Sequence, residues 1–258
     1  MFLAGQISNA LTNRKALYKV KEKAVTLYKY ISARYAEDIL RNQHLMLDNG
    51  TGFNDPFELR VSDRRYGTDR PILGLRILCL TNSNRKKLMW SHYADSHKGL
   101  CLVVEVPESL VYPVCYSGNR IFEDSNIDDI LIKGKSTSKK LLKNKPIIDL
   151  PYEHKVALIK DQKWEYEKEY RIVLDESSPL LTVDSENRFF FDLKIKRIYL
   201  GCRFEENKAE AKTSILSACS DNSIGIQRMY MSKENYAVKA EKVAKYAKPE
   251  QEKILMSV

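Results

Sequence analysis

Apolar and polar positions along the chain switch between two periods. Leu27-Tyr28-Lys29-Tyr30-Ile31 reads as a short strand, and longer apolar strands are predicted at 72–80 and 100–106. Further strands are predicted at 111–116, 189–193, 195–200 and 224–231, with Gly201 ending the third of these. Helical spacing is read at 8–25, which is basic and amphipathic, and after Ser32, a capping residue followed by Glu37, Asp38 and the inward pair Ile39-Leu40. Other helices are predicted at 86–94, 152–163, 205–218 and 237–248, the last stopped by Pro249. Asn49-Gly50 marks a turn, and Pro56 makes the Phe53–Glu58 stretch irregular, with Glu58 placed to cap a backbone group. Strands and helices mix without a βαβ rhythm, which predicts a single α+β domain with a mixed or antiparallel β-sheet core flanked by helices. The expected organisation is an N-terminal helical extension over 1–25, a domain over 26–236 and a basic helical tail over 237–258. A lysine-rich helical insertion is expected near 125–150.

One stretch departs from ordinary strand chemistry. Trp164-Glu165-Tyr166-Glu167-Lys168-Glu169-Tyr170-Arg171 precedes the apolar run Ile172-Val173-Leu174. A period of two puts Glu165, Glu167 and Glu169 on one strand face, where like charges repel. A solvated edge, a basic partner or a reactive cleft would offset that repulsion. Arg171 has a plain structural role, pairing with these acids.

Composition narrows the classes. The chain has 258 residues, 43% hydrophobic and 30% charged, so a packed core is expected. No apolar run reaches the roughly 20 residues needed to span a bilayer, and no signal peptide is read, so a cytoplasmic protein without membrane contact is expected. Cys79, Cys101, Cys115, Cys202 and Cys219 are scattered, which suits reduced core thiols, and no metal site is expected. The net charge of +9 favours an anionic partner. Lys133, Lys135, Lys139, Lys140, Lys143 and Lys145 form one basic segment, and Lys239, Lys242, Lys245 and Lys248 form a stripe at every third position. Either could be a solvated surface or a phosphate-binding one.

Four blocks mix large aromatics with hydrogen-bonding groups: Leu27–Ser32, Phe53–Glu58, Met89–Asp95 and Trp164–Arg171. A pocket for a flat polar ligand uses that mixture. The order LYKY, FNDPFE, MWSHYAD followed by HKGLCLVVEV, then KWEYEKEYRIV, resembles a widespread bacterial family catalogued as a domain of unknown function. The resemblance runs from about Leu27 to about Tyr236. The opening strand and helix are also similar to those of DarT-like ADP-ribosyltransferase toxins, which modify DNA.

That second resemblance implies an ADP-ribosyltransferase-like split β-sheet and NAD as substrate. It places Lys29, Tyr30 and Ser32 at the nicotinamide end, with Lys29 where the family has histidine. Trp90 or Tyr93 would stack on the nicotinamide. Asn54 is read either as touching ligand or, with Asp55 beside Pro56, as making an Asx-turn. Glu169 would hold the ribose and Glu167 would orient or deprotonate the acceptor, with the reverse assignment open and Tyr30 able to share a catalytic role. It further implies a nucleic acid acceptor, RNA or DNA, and the effector of a toxin–antitoxin or anti-phage system with an antitoxin protein as partner. The alternative is a non-catalytic nucleotide-sensing or nucleic-acid-binding module, whose carboxylates would be structural. A metal-dependent nuclease using Asp55/Glu58 and Glu167/Glu169 is a third, less favoured reading.

Overall fold

The computed structural model describes residues 23–63, 67–121, 126–138 and 147–241. Most of the predicted 8–25 helix, Lys139, Lys140, Lys143 and Lys145 of the insertion, and Lys242, Lys245 and Lys248 of the tail lie outside the described residues. The protein is a mixed α and β structure whose strand pairs are mainly antiparallel. Among the described residues no helix is long and apolar enough to cross a membrane.

In chain order the first strands are β1 (Ala24–Ile31), β2 (His44–Leu47), β3 (Arg60–Asp63), β4 (Thr68–Pro71), β5 (Leu75–Thr81) and β6 (Leu100–Pro107). Next come β7 (Tyr112–Pro113), β8 (Cys115–Ser117), β9 (Lys135–Ser136), β10 (Ile159–Asp161) and β11 (Glu169–Asp175). The last are β12 (Leu181–Val183), β13 (Phe189–Asp192), β14 (Lys194–Leu200), β15 (Gly225–Met231) and β16 (Val238–Ala240). Contacts divide the chain into two compact units, the first from Met1–Val25, Leu45–Cys79 and Val106–Asp192, the second from Thr26–His44, Leu80–Glu105 and Leu193–Val258.

In the first unit β11 pairs antiparallel with β7, and β10 runs parallel to β8. β8 also pairs antiparallel with β9, and β3 with β4. Leu59, Val61, Ile77, Leu131, Val156, Leu158 and Val173 belong to its buried core. In the second unit β16, β15, β14, β6 and β1 are successive neighbours. β14 is parallel to β15 and antiparallel to β6, with a register shift between Ile195 and Arg197. The helices Ala36–Asn42 and Ala209–Asp221 pack together and bury Leu40, Ile215 and Ala218.

Several elements differ from the sequence expectations. Glu165 and Glu167 are not on a strand: Gln162–Glu167 is a 3-10 helix, capped where the Asp161 side chain accepts from the Lys163 N–H. Lys168 is left-handed, with φ 48°, and turns the chain so that β11 begins at Glu169. The predicted 152–163 helix stops at Val156, because Val156, Ala157, Leu158 and Ile159 are all buried and one helical stripe cannot serve such a run. The described part of the insertion holds one α-helix, Ile127–Lys133, then β9 after Gly134, and a 3-10 turn at Ile147–Asp149. Where the sequence predicts the start of a tail helix, Lys239 lies on β16 instead. The 205–218 helix is shifted, a 3-10 turn at Phe204–Glu206 preceding Ala209–Asp221.

A tight loop closes the Lys87–Tyr93 helix. Asp95, Ser96 and His97 are all left-handed, at φ 48°, 51° and 72°. Each such non-glycine residue costs roughly 1–2 kcal/mol, so the surrounding contacts must hold the loop. Backbone bonds do so: the Gly99 N–H donates to Ala94 O and the Arg203 N–H to His97 O. A Cβ at Gly201 would lie 2.0 Å from His97 O, whereas one at Gly225 would meet nothing nearer than the Arg197 side chain at 3.6 Å. Gly201→Ala is therefore expected to destabilise by about 1–3 kcal/mol in urea unfolding, and Gly225→Ala by less than about 0.5 kcal/mol.

Candidate functional site

The first unit buries five charged side chains together. Glu58 follows the irregular Phe53–Phe57 stretch, Lys160 sits mid-strand on β10, Glu167 ends the 3-10 helix, and Glu169 and Arg171 lie two apart on β11. Their side chains are at most 4% exposed. Lys160 Nζ lies 2.5 Å from Glu167 Oε2, 3.0 Å from Glu58 Oε1 and 3.1 Å from Glu169 Oε2. Arg171 donates from Nε to Glu169 Oε1 at 2.7 Å, from Nη1 to Ala157 O at 2.7 Å, and from Nη2 to Glu58. Aromatic rings flank both bases: Lys160 Nζ is 5.0 Å from the Trp164 centroid and Arg171 Cζ is 5.4 Å from that of Phe53.

Three carboxylates against two bases leave a formal charge of −1. Burial by itself would raise the Glu169 carboxyl, but Arg171 and Lys160 outweigh it and hold the group well below the usual carboxylate range. Burial likewise opposes the charge of Lys160, and Glu169 and Glu58 more than restore it, so its pKa is raised. Tyr116 adds a neutral contact, its hydroxyl oxygen accepting from the Glu169 N–H at 2.8 Å. Burial raises the Tyr116 phenol. The arrangement keeps the Glu169 carboxylate ionised in a dry environment, where electrostatic effects are strong.

The other predicted residues are distributed between the units. Asn54 is exposed beside Asp55, whose side chain accepts from the Phe57 N–H in the turn expected at Pro56. Lys29, Tyr30, Ser32, Trp90 and Tyr93 belong to the second unit. Ser32 caps a 3-10 turn by accepting from the Arg34 N–H. Tyr30 is buried and donates to Ser83 O at 2.8 Å. Trp90 is 0% exposed, meets the Tyr30 ring edge-on at 5.1 Å, and donates to Asn84 O. Its ring thus packs within the unit, while Lys29 and Tyr93 are half-buried.

Glu167 and Glu169 do come together, and Arg171 pairs with Glu169 as its structural reading requires. Lys160 is the member that the sequence motifs do not single out, and Glu58 forms ion pairs in addition to any capping role. A signal for Lys160 exists: it is the first charge after the apolar run Val156–Ile159. His97 also gains neighbours, with Nε2 3.2 Å from Ser91 Oγ and Nδ1 3.7 Å from Cys202 Sγ.

The charge count gives an asymmetric expectation. Lys160→Met strips one of two bases from three buried acids and is expected to destabilise by about 3–5 kcal/mol. Glu167→Gln leaves two acids against two bases and is expected to cost less in the same denaturant titration. A pH series tests the sign. Because the folded Glu169 pKa is lowered, its contribution is present above the unfolded value of about 4.3 and is lost as pH falls through the folded one. Unfolding free energy should therefore decline below about pH 5, with a shallower slope in Glu169→Gln.

A family model described as "Protein of unknown function (DUF2971)" matches residues 89–172, from the Met89–Asp95 block through the Trp164–Arg171 block. No curated protein and no solved structure matches the chain. The family match supports kinship with a domain-of-unknown-function family.

Proposed function

We propose that the chain is a NAD-dependent ADP-ribosyltransferase that modifies nucleic acid, RNA or DNA, as the effector of a toxin–antitoxin or anti-phage system with an antitoxin partner. The observation that carries this reading is the convergence of Glu58, Glu167 and Glu169 on Lys160 and Arg171. Burying this many charges is costly, and such perturbed groups cluster at functional sites.

In the reaction the bond between the ribose carbon and nicotinamide breaks, and nicotinamide leaves with the electron pair. The ribose gains positive charge, as in glycoside hydrolysis. Glu169, kept ionised, suits the stabilisation of that charge. The acceptor forms the new bond to the same carbon and loses its proton to Glu167. For Glu167 to serve, its 2.5 Å contact with Lys160 must open when substrate binds. Asn54, exposed and in the same unit as the acids, is the NAD contact that this proposal carries.

The pairing of all three acids favours a second reading, a non-catalytic nucleotide-sensing or nucleic-acid-binding module with a structural ion cluster. Purified protein with radiolabelled NAD and single-stranded RNA or DNA separates the two. The enzyme reading expects labelled nucleic acid and free nicotinamide, with label falling about 10²–10⁴-fold in Glu167→Gln while circular dichroism is unchanged. Absence of transfer and of nicotinamide release from folded wild-type protein, with toxicity on expression equal in wild type and Glu167→Gln, would support the module.

A further inference from the structure

Charge is divided unequally along the chain. Among the described residues the second unit carries 16 lysines and arginines against 10 acids, and the first carries 13 against 19. Among the described residues an anionic partner is therefore favoured by the second unit.

The second unit also has a sheet face with suitable chemistry. Register puts Tyr199 opposite Cys101 on β6 and Gln227 on β15, and Arg197 opposite Val103 and Gly225. Paired residues share a face, so these side chains line one side of the sheet. Burial and the neighbouring Cys101 thiol both raise the Tyr30 phenol, which sets Tyr30 on the Cys101 side of the sheet and Tyr28, two residues earlier, with it. Tyr28 pairs with Thr81 on β5, and the chain soon reaches Arg85. One end of the face is closed by Tyr30 and Cys101. The other is open: Tyr28, Val103, Gly225 and Gln227 are half-buried, and Arg85 and Arg197 are exposed.

The groups act on one another. Burial and Tyr199 raise the Tyr28 phenol, while the charges of Arg85 and Arg197 oppose the rise. Arg197 Nη1 donates to Gln227 Oε1 at 3.4 Å. Among the described residues neither Arg85 nor Arg197 stands within ion-pair distance of a carboxylate, so both charges are available to a ligand.

We propose that this face, carrying Tyr28, Arg85, Arg197 and Gln227, binds single-stranded nucleic acid. It deepens the functional reading above by locating the acceptor's binding surface, and it rests on that reading for the class of partner. Single strands are favoured over duplex because an aromatic ring on a sheet can stack only on an unpaired base. The two arginines would hold phosphates, and the Gln227 amide has both donors and an acceptor for a base edge.

The test is fluorescence anisotropy of the full chain with fluorescein-labelled 15-mers of thymidine or uridine, without NAD, over a salt series. Saturable binding is expected to at least one oligomer. Removing both arginines in Arg85→Ala/Arg197→Ala should flatten the salt slope by about 1.4, two contacts at about 0.7 each. Tyr28→Ala should weaken binding about 5- to 150-fold with the slope unchanged, and Tyr28→Phe should retain it. Lys163→Ala, in the first unit, should have no effect. The proposal is overturned if neither oligomer binds, or if the arginine pair loses no more than Lys163→Ala. Equal affinity for a 15-base-pair duplex, or equal competition by polyglutamate, would overturn it too. Because NAD is absent, loss of binding and loss of transfer are separate results.

Discussion

Two buried bases hold three buried acids, and the local structure of the first unit follows from that constraint. Lys160 reaches all three carboxylates, and Arg171 ties Glu58 and Glu169 to the Ala157 carbonyl. The contributing segments are remote in sequence: the Phe53–Glu58 turn, β10, the 3-10 helix and the start of β11. An ion taken from water without such partners would cost several kcal/mol, so these segments are bound to one another by charge as well as by apolar packing.

The same constraint explains the shape of the Trp164–Arg171 stretch. A regular strand would have set Glu165, Glu167 and Glu169 in a row. The 3-10 helix and the left-handed Lys168 separate them instead. Glu165 turns to Lys135 and Lys168 at the surface, while Glu167 and Glu169 turn inward to Lys160. The repulsion expected from the sequence is thus relieved by backbone conformation and by cations together.

Much of the strand framework was legible. The strands containing Tyr28, Ile77, Val104, Ile198 and Met229 have β-type apolar runs, and Ser32 and Pro56 signalled local geometry through their own chemistry. The failures have physical causes. The Val156–Ile159 run is short and uniformly apolar, so its period does not distinguish helix from strand. Positive φ at Lys168, Asp95, Ser96 and His97 leaves no glycine in the sequence as a sign. The partnership of Glu58 with Arg171 spans 113 residues, a contact that no local pattern encodes.

The most direct measurement of the ion cluster is a carbon-13 NMR titration of glutamate side-chain carboxyls. The account predicts that Glu169 remains ionised at pH values well below the ordinary glutamate value of about 4.3. A Glu169 resonance that titrates at that ordinary value, or at higher pH, would contradict it.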